Sequence, residues 1–303
     1  GMLILTIDTR MKPLHTSPAF VRSIYCLIAL VALPFVMWNG FVQQLNTEWN
    51  DLVLRLRPVE ASPSMRQIVL LAIDDRTAAH FGPLPLSRST LAAGLTVLAS
   101  LKPRVLAVDL LLSEPGDPVA DAELASALRR YSNVILGAGL DSDGQAEPSW
   151  IEPLPLFAGG ASVAHVHASP DADGDVRSVL LAKEGRNTRR WTFGLEAARL
   201  FLGAERPIEQ PESVVLGSIR LPARSDESRV LLINYAGPER SFPRVSFSDL
   251  LEERADPAAL RHKLVIVGVT AQGGGDRMFT PVSAGMGMSG IEIHANVIRT
   301  ILD

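Results

Sequence analysis

The larger, C-terminal part of the sequence alternates short apolar runs with segments of helical spacing, and this alternation restricts the fold most strongly. The runs IVLLAID (68–74), RVLAVDLLL (104–112) and NVILGAGL (133–140) predict strands. Between them, Ser87 is expected to cap one helix, and the segment DAELASALRRY predicts a second. A βαβαβ pattern of this kind favours parallel strands joined by right-handed crossovers.

Later segments extend the same pattern. SVAHVHA and VRSVLLA flank the acidic segment SPDADGD, whose Asp-Gly pair predicts the turn of an antiparallel hairpin. The segment TFGLEAARLFLG predicts a helix, KLVIVGVT a strand, and IEIHANVIRTIL a closing helix. The expected fold class is therefore α/β, a mixed, mostly parallel sheet flanked by helices with an antiparallel hairpin insertion, preceded by an N-terminal transmembrane helix.

The transmembrane helix is predicted from residues 24–41, which contain no charged side chain. A helix of that length spans about 27 Å, close to the hydrocarbon thickness of a bilayer. A buried core helix is an alternative, but the segment has no polar face. A cleaved signal peptide is another, since Lys12 and Arg22 precede the segment, but no A-x-A-like site follows it. We therefore expect an uncleaved anchor.

The charge distribution and the linker give the expected organisation of the chain. Residues 1–23 are expected in the cytoplasm, residues 24–41 in the membrane, 42–65 as a juxtamembrane helix and linker, and 66–303 as the folded domain outside the cytoplasm. We also expect a homodimer, because the juxtamembrane segment carries an apolar stripe at helical spacing. The stripe consists of Phe41, Leu45, Trp49, Leu52 and Leu56.

Composition excludes several function classes. The chain has 303 residues, 47% of them hydrophobic, and is therefore a folded protein. Its net charge of −4, without any basic run, makes nucleic acid an unexpected partner. Cys26 is the sole cysteine, which excludes an intrachain disulfide and a CxxC metal site.

None of the short motifs predicts a cofactor, a metal site or a catalytic residue. GMGMSG (285–290) matches G-x-G-x-x-G but lacks the preceding strand and the later acidic residue of a dinucleotide site. DADGD (171–175) is one ligand pair short of a calcium loop, and QGGGD (272–276) lacks the lysine of a P-loop. His165 and His167 share one strand face without a third ligand. No G-x-S-x-G elbow is present.

Carboxylates at the predicted strand ends are the remaining candidates for a site. Asp74 and Asp75 end the first strand, Asp109 lies in the second, and Asp276 follows the strand KLVIVGVT. In a parallel sheet these ends share one edge. The acids could hold Mg²⁺ for phosphoryl chemistry, or they could accept hydrogen bonds from helix N-termini and arginine. We favour a structural or ligand-contacting role, because no nucleophile or general base accompanies them.

Strand alternation sends Asp74 and Asp75 to opposite sides, which argues against a chelating pair. We expect one of the two carboxylates to be held by backbone N–H groups or by Arg88. The other is expected to face a pocket near Asp109 and Asp276.

Ordered motifs from about Trp49 to the end resemble the CHASE2 sensor domains of bacterial receptors. They are DLVLRLRP, IDDR, G-x-x-P-x-x-R at 82–88, VLAVDLLLSEP at 105–115, DADGDVR at 171–177, INYAGP at 233–238, KLVIVGVTA with Asp276, and Thr280-Pro281 followed by GIEIHAN at 290–296. One departure is that Leu84 and Leu86 stand where the family tends to have tryptophans. If those positions shape a ligand pocket, the ligand of this protein differs; if they are core positions, little changes.

The resemblance implies a non-enzymatic periplasmic sensor, anchored in the bacterial cytoplasmic membrane. Such a domain responds to a small molecule or an environmental stimulus and signals to a cytoplasmic effector that this chain does not contain. The alternative is a membrane-anchored, metal-dependent phosphohydrolase that uses the acidic cluster. The candidate ligand-binding residues are Asp74, Asp75, Arg88, Asp109, Asp276 and His294.

Overall fold

The computed structural model describes residues 22, 42, 45–58, 62–141, 148–186, 188–273, 277–283 and 285–303. The chain divides between Val53 and Leu54 into two compact units. Residues 45–56 are helical and form α1. The predicted membrane segment lies outside the described residues. Within the described part, no helix is both long and apolar enough to cross a membrane.

A seven-stranded sheet forms the centre of the second unit. Its strands are β1 (Ile68–Ile73), β2 (Val105–Asp109), β3 (Val134–Asp141), β4 (Ser149–Ile151), β5 (Ser162–His165), β13 (Arg244–Ser246) and β14 (Leu264–Val269). The order is β13-β1-β14-β2-β3, with β4 and β5 also paired to β3. All pairs are parallel except β3 with β4.

Helices cover both faces of this sheet. They are α2 (Asp75–Phe81), α3 (Arg88–Ser100), α4 (Pro118–Leu128), α5 (Pro155–Ala158), α6 (Phe193–Leu202), α7 (Phe247–Leu251), α8 (Pro257–Leu260) and α9 (Gly290–Leu302). Short antiparallel pairs lie outside the central sheet. Their strands are β6 (Ser178–Leu180), β7 (Ala182–Gly185), β8 (Thr188–Trp191), β9 (Ile208–Gln210), β10 (Ser213–Leu216), β11 (Ile219–Pro222), β12 (Val230–Leu232), β15 (Arg277–Met278) and β16 (Met288–Ser289).

Three apolar cores hold these layers together. One face of the sheet packs against the side chains of α3, α4 and α7, among them Leu95, Leu124 and Phe247. The other face packs against α6 and α9, and a third core lies between these two helices and strands β6, β10, β11 and β12. Helix α9 is therefore covered on both sides, and most of its residues are buried.

A glycine in β14 allows α9 to lie close to the sheet. A Cβ atom built on Gly268 would lie 2.2 Å from Cγ2 of Ile291, in the first turn of α9. Real atoms do not approach so closely, because the repulsion between overlapping atoms is steep. The small residue at position 268 thus fixes where α9 begins relative to the sheet.

The sequence-based expectation of a mixed, mostly parallel α/β fold is confirmed, and so are its first three strands. Ser87 caps α3 by accepting a hydrogen bond from the Thr90 backbone N–H at 3.1 Å, as predicted. The order of the strands within the sheet was not predicted from the sequence. Strand β14, which comes late in the chain, lies between β1 and β2.

The predicted hairpin across SPDADGD is wrong. Its first arm is β5, which joins the central sheet beside β3, and its second arm is β6, which pairs with β12. The acidic turn closes on itself through hydrogen bonds between Asp171 and Asp175 and between Gly174 and Asp171. Each arm pairs with a strand from another part of the chain, which local turn chemistry does not predict.

Candidate functional site

The carboxyl edge of the central sheet is the candidate site, because the ends of β1, β14, β2 and β3 meet there together with the first turns of α2 and α9. In open parallel sheets ligands commonly bind outside this edge. Two cavities open at it, one on the α9 side and one on the α3 side of the sheet. Leu110, Leu111 and Val269 line both cavities, so these residues separate them.

Asp74 is a helix cap at this edge. Its Oδ1 accepts hydrogen bonds from the backbone N–H of Thr77 at 2.9 Å, from Thr77 Oγ1 at 2.8 Å and from Ser246 Oγ at 3.0 Å. Burial alone would raise the pKa of Asp74, but these hydrogen bonds outweigh burial and lower it. The carboxylate thus ties the start of α2 to Ser246, the residue before α7.

Asp75 lies on the other side of the strand end and is exposed. Its Oδ1 accepts a hydrogen bond from the backbone N–H of Gln272 at 2.9 Å, in the loop that follows β14. Neither Asp74 nor Asp75 lines either cavity. The two acids diverge, in agreement with the alternation argument, and each holds a different neighbouring segment.

Arg88, at the start of α3, contacts neither of these two acids. Its guanidinium lies 3.2 Å from Oδ1 of Asp121, donates to the backbone oxygen of Glu114 at 2.6 Å, and stacks 5.0 Å from the ring centre of Phe157. Arg88 also lines the α3-side cavity, which has a volume of about 520 Å³. The arginine therefore joins α3 to α4 and to the loop after β2.

The two leucines that depart from the family pattern lie near this second cavity. Leu86 is buried in the core and lines the cavity, and Leu84 packs against the same core. A leucine at position 86 thus serves both as core residue and as cavity wall.

Asp109 and His294 meet in the cavity on the α9 side, which has a volume of about 470 Å³. Asp109 ends β2, and His294 lies in the second turn of α9. His294 Nε2 lies 3.8 Å from Asp109 Oδ2, which is longer than a hydrogen bond. We call this space the Asp109–His294 cavity. It brings together two of the six candidate residues from separate elements of the fold.

His294 is neutral in this position. Burial lowers its pKa, and the opposing effect of the nearby Asp109 carboxylate is smaller. Its ring packs 4.9 Å from the ring of Phe193, and its Nδ1 atom is buried without a hydrogen-bond partner in the described part of the chain. Buried polar atoms are normally hydrogen-bonded. A neutral imidazole can donate one hydrogen bond and accept another.

The other side chains that line the Asp109–His294 cavity are mostly apolar, although its surface as a whole is about equally polar and apolar. They come from α9, from the end of β14, and from the segment after β5, and include Val166, Ala168, Val269, Met278, Ile291 and Ile293. Sequence reasoning missed Val166 and Ala168, because it assigned their segment to a hairpin. Gly273, in the loop held by Asp75, also lines the cavity. Asp276 lies outside the described residues.

Two motifs that were considered for metal binding have structural partners. The guanidinium of Arg177 lies 3.0, 2.7 and 3.4 Å from carboxylate oxygens of Asp171, Asp173 and Asp175. Hydrogen bonding to Arg177 lowers the pKa of Asp173 to about 2. Arginine therefore occupies the acidic turn. Across the described residues, no group of three or more His, Cys, Asp or Glu side chains is arranged to hold a metal.

His165, the last residue of β5, is buried, His167 beyond it is half-buried, and both are neutral. The Nε2–H group of His165 donates to the backbone oxygen of Leu180 at 3.0 Å. Burial is the main cause that lowers the pKa of His165 to about 3, and burial also lowers the pKa of His167. Their ring centres are 6.4 Å apart. His165 thus serves as a donor that joins β5 to the outer layer.

The opposite end of α9 contacts the segment that leads into β1. Arg299 donates to the backbone oxygen of Asn234 at 2.9 Å and pairs with Asp303 at 3.0 Å. Asp303 also accepts a hydrogen bond from Ser64, and Arg299 lies 3.4 Å from Ser62 Oγ. One helix therefore connects the Asp109–His294 cavity to the linker, which lies at the amino edge of the sheet.

Comparison with known proteins agrees with the resemblance in the sequence. The family model for the CHASE2 domain matches residues 27–303. No curated protein matches the chain. No solved structure matches it either.

Proposed function

The chain belongs to the CHASE2 family of extracellular sensory domains, and we propose that it is the extracytoplasmic sensor of a bacterial membrane receptor. The observation that carries the proposal is the Asp109–His294 cavity, which lies at the edge where parallel sheets commonly bind ligands. Its volume, about 470 Å³, is within the range of pockets for small molecules.

The walls of this cavity favour a small ligand that carries both apolar and polar groups. Val166, Ile291 and Ile293 offer apolar contact, while Asp109 and the neutral ring of His294 offer hydrogen bonds. A ligand group that bonds to His294 would satisfy a buried polar atom, which makes its binding more favourable. The stimulus is then the concentration of that ligand.

Helix α9 is the element that we propose carries the signal. Its first turns line the cavity, and its last turn contacts the linker through Arg299 and Asp303. A 13-residue helix is about 20 Å long and moves as a rigid body. A ligand that shifts the start of α9 therefore shifts its end, and it changes the balance between two states of the linker.

The membrane arrangement is part of the same proposal. Residues 24–41 anchor the chain, residues 1–23 lie in the cytoplasm, residues 42–303 lie outside it, and a cytoplasmic effector receives the signal. The protein forms a homodimer through α1. Leu45, Trp49 and Leu56 on this helix are 47%, 64% and 74% exposed, and their spacing is that of a coiled-coil seam.

The test uses a receptor in which the whole chain is joined, after Asp303, to membrane helices and a nucleotide cyclase. Leu111 lies at the cavity rim and is 51% exposed, so Leu111→Trp reaches into the cavity without disturbing the core. We expect this variant to change cyclic nucleotide output in cells. Val119→Trp, at a more exposed position on α4 away from both cavities, is the matched control.

Two results would overturn the proposal. One is an unchanged output in Leu111→Trp and in Asp109→Asn receptors that reach the membrane in normal amounts. The other is Mg²⁺-dependent hydrolysis of phosphate esters by the purified chain that is lost in Asp109→Asn, because the site would then be catalytic.

A further inference from the structure

Cations collect at the amino edge of the central sheet, opposite the two cavities. Four short segments precede the central strands there, namely residues 62–67 before β1, 101–104 before β2, 129–133 before β3 and 261–263 before β14. Together they contain seven Lys or Arg and no Asp or Glu, although the chain as a whole has a net charge of −4. The seven are Arg66, Lys102, Arg104, Arg129, Arg130, Arg261 and Lys263.

Hydrogen bonds join these segments into one surface, which we call the basic edge. The backbone N–H of Arg104 donates to the oxygen of Lys263 at 2.8 Å, and that of His262 donates to the oxygen of Lys102 at 3.0 Å. Lys263 Nζ donates to the backbone oxygen of Arg66 at 2.9 Å. The side-chain amide of Asn133 donates to the backbone oxygen of Arg104 at 3.1 Å, so all four segments lie side by side.

The cations of the basic edge differ from most others in their partners. Elsewhere in the domain, arginines such as Arg88, Arg177, Arg199, Arg244 and Arg277 form ion pairs with carboxylates. Within the described residues, none of the seven cations of the basic edge forms one. All except Lys263 are exposed, so their charge faces solvent.

A pocket of about 260 Å³ opens within the basic edge. Lys102, Arg104 and Arg130 line it together with Ser132 and Asn133. Lysine, arginine and hydroxyl groups are the usual donors to phosphate oxygens. Arg104 is positioned by stacking 4.8 Å from the ring centre of Phe201. The pocket can therefore receive a phosphate group.

We infer that the basic edge is a contact surface for an anionic lipid bilayer, with lipid phosphate groups in the pocket lined by Lys102, Arg104 and Arg130. A bilayer fits better than a soluble anion, because the cations spread over four segments rather than around one point. The chain also enters β1 at this edge, and the acidic side chains Asp74, Asp75 and Asp109 lie at the opposite one. An anionic surface therefore attracts this edge and repels the other.

The inference rests on the membrane attachment in the proposed function but needs no ligand. It has a mechanical consequence, because the end of α9 and the linker lie at the same edge. A domain held by its basic edge presents the cavities away from the bilayer and keeps the moving end of α9 beside it.

The test places a fluorophore on the full chain in lipid nanodiscs. Cys26 is changed to serine, and Ser100→Cys, at an exposed position at the end of α3 next to residues 101–104, then gives a single labelling site beside the basic edge and outside its pocket. Lipids with a headgroup quencher report contact with the bilayer. We expect quenching in discs that contain phosphatidylglycerol, little in discs of phosphatidylcholine alone, and loss of quenching at high salt. A label at Glu114→Cys, on the opposite edge, should remain bright.

Charge reversal tests the cations themselves. Each cation near an anionic surface favours contact by about fivefold, so Lys102→Glu with Arg130→Glu should lower the ratio of docked to undocked domain at least about 25-fold. Arg186→Glu with Arg206→Glu is the control, since it makes the same change in net charge at exposed positions outside the basic edge. Its quenching should equal that of the unmodified chain.

Equal quenching in both lipid compositions, or unchanged quenching after reversal of Lys102 and Arg130, would overturn the inference. The same is true if inorganic phosphate at low ionic strength removes the quenching while an equally concentrated chloride solution does not, since the site would then prefer a soluble anion. Failure of the chain to enter the discs at all is a different result. It would contradict the membrane anchor of the proposed function, and vesicle sedimentation would then test the basic edge alone.

Discussion

Replacement of Asp74 by alanine is expected to destabilise the protein far more than the same change at its neighbour, Asp75. Asp74 Oδ1 accepts three hydrogen bonds, two from Thr77 and one from Ser246. Thr77 is fully buried, and its hydroxyl in turn accepts a hydrogen bond from the backbone N–H of Ser248 at 3.2 Å. The carboxylate thus organises the starts of two helices at once.

The expected loss in the free energy of unfolding follows from the groups that lose a hydrogen-bond partner. Loss of a helix N-cap costs about 1 kcal/mol. Leaving the buried Thr77 hydroxyl without an acceptor costs about 1–3 kcal/mol more. We therefore expect Asp74→Ala to lose about 3 kcal/mol, which corresponds to a fall in melting temperature of about 6–12 °C for a domain of this size.

Asp75→Ala provides the matched control, because it removes the same charge one residue later. Asp75 is exposed and accepts one hydrogen bond, from Gln272. We expect it to lose less than about 1 kcal/mol. Because Gln272 precedes Gly273, which lines the Asp109–His294 cavity, Asp75→Ala should instead change ligand response. Thermal and urea unfolding of the full chain in detergent would measure both losses.

The pH dependence offers a second check on Asp74. Its pKa is lowered in the folded protein, so its contribution to stability is present above the ordinary value of 3.8 and is lost as the pH falls through the lower folded value. The difference between the native protein and Asp74→Ala should therefore shrink below about pH 4. Equal losses in Asp74→Ala and Asp75→Ala at pH 7 would refute the reasoning.

Three further predictions concern the pH response, the topology and the oligomeric state. Burial lowers the pKa of His165 to about 3 from 6.5, so only the unfolded chain gains a proton there as the pH falls from 6.5 to about 5. The free energy of unfolding of the native protein, measured in urea, should then fall by roughly 2 kcal/mol, and that of His165→Gln should not. Parallel pH profiles of the two proteins would contradict this. Alkaline phosphatase fused after Asp303 should be active, and an inactive fusion with an active cytoplasmic reporter would reverse the topology. Serine at Leu45, Trp49 and Leu52 should weaken self-association in sedimentation, and an unchanged profile would count against the dimer.

The strands and helices of the central layers were predictable because their signals are local. IVLLAI and LVIVGV are unbroken apolar runs, and both are fully or almost fully buried strands. Ser87 indicated the start of α3 through its side-chain chemistry, whereas helix α2 and its cap at Asp74 were not predicted. In each case the residues that determine the structure lie within a few positions of one another.

The order of the strands was not predictable, because it depends on partners far apart in sequence. β14 pairs with β1 on one side and with β2 on the other. The six residues of β14 do not indicate which strands its partners are. The same limitation produced the wrong hairpin. The arms of SPDADGD satisfy a local turn rule, yet β5 and β6 each pair with a strand elsewhere in the chain.

The candidate site was predictable in its location but not in its contacts. Parallel strands brought Asp74, Asp75 and Asp109 to one edge, as the sequence indicated. The approach of His294 to Asp109 depends on where α9 packs. The contact of Arg88 with Asp121 depends on where α4 packs. Helix packing is set by shape over many residues, which a motif of a few residues does not encode.

Under the proposed function, the late position of β14 and α9 in the chain has a consequence for signalling. The central sheet is incomplete until β14 enters between β1 and β2, and the Asp109–His294 cavity lacks one wall until α9 covers the sheet. Cavity, core and linker contact therefore all depend on α9, which contributes to each of them. A close-packed core transmits small shifts, because it has no free volume to absorb them. Any ligand that changes the position of His294 must accordingly move a helix whose other end contacts the linker.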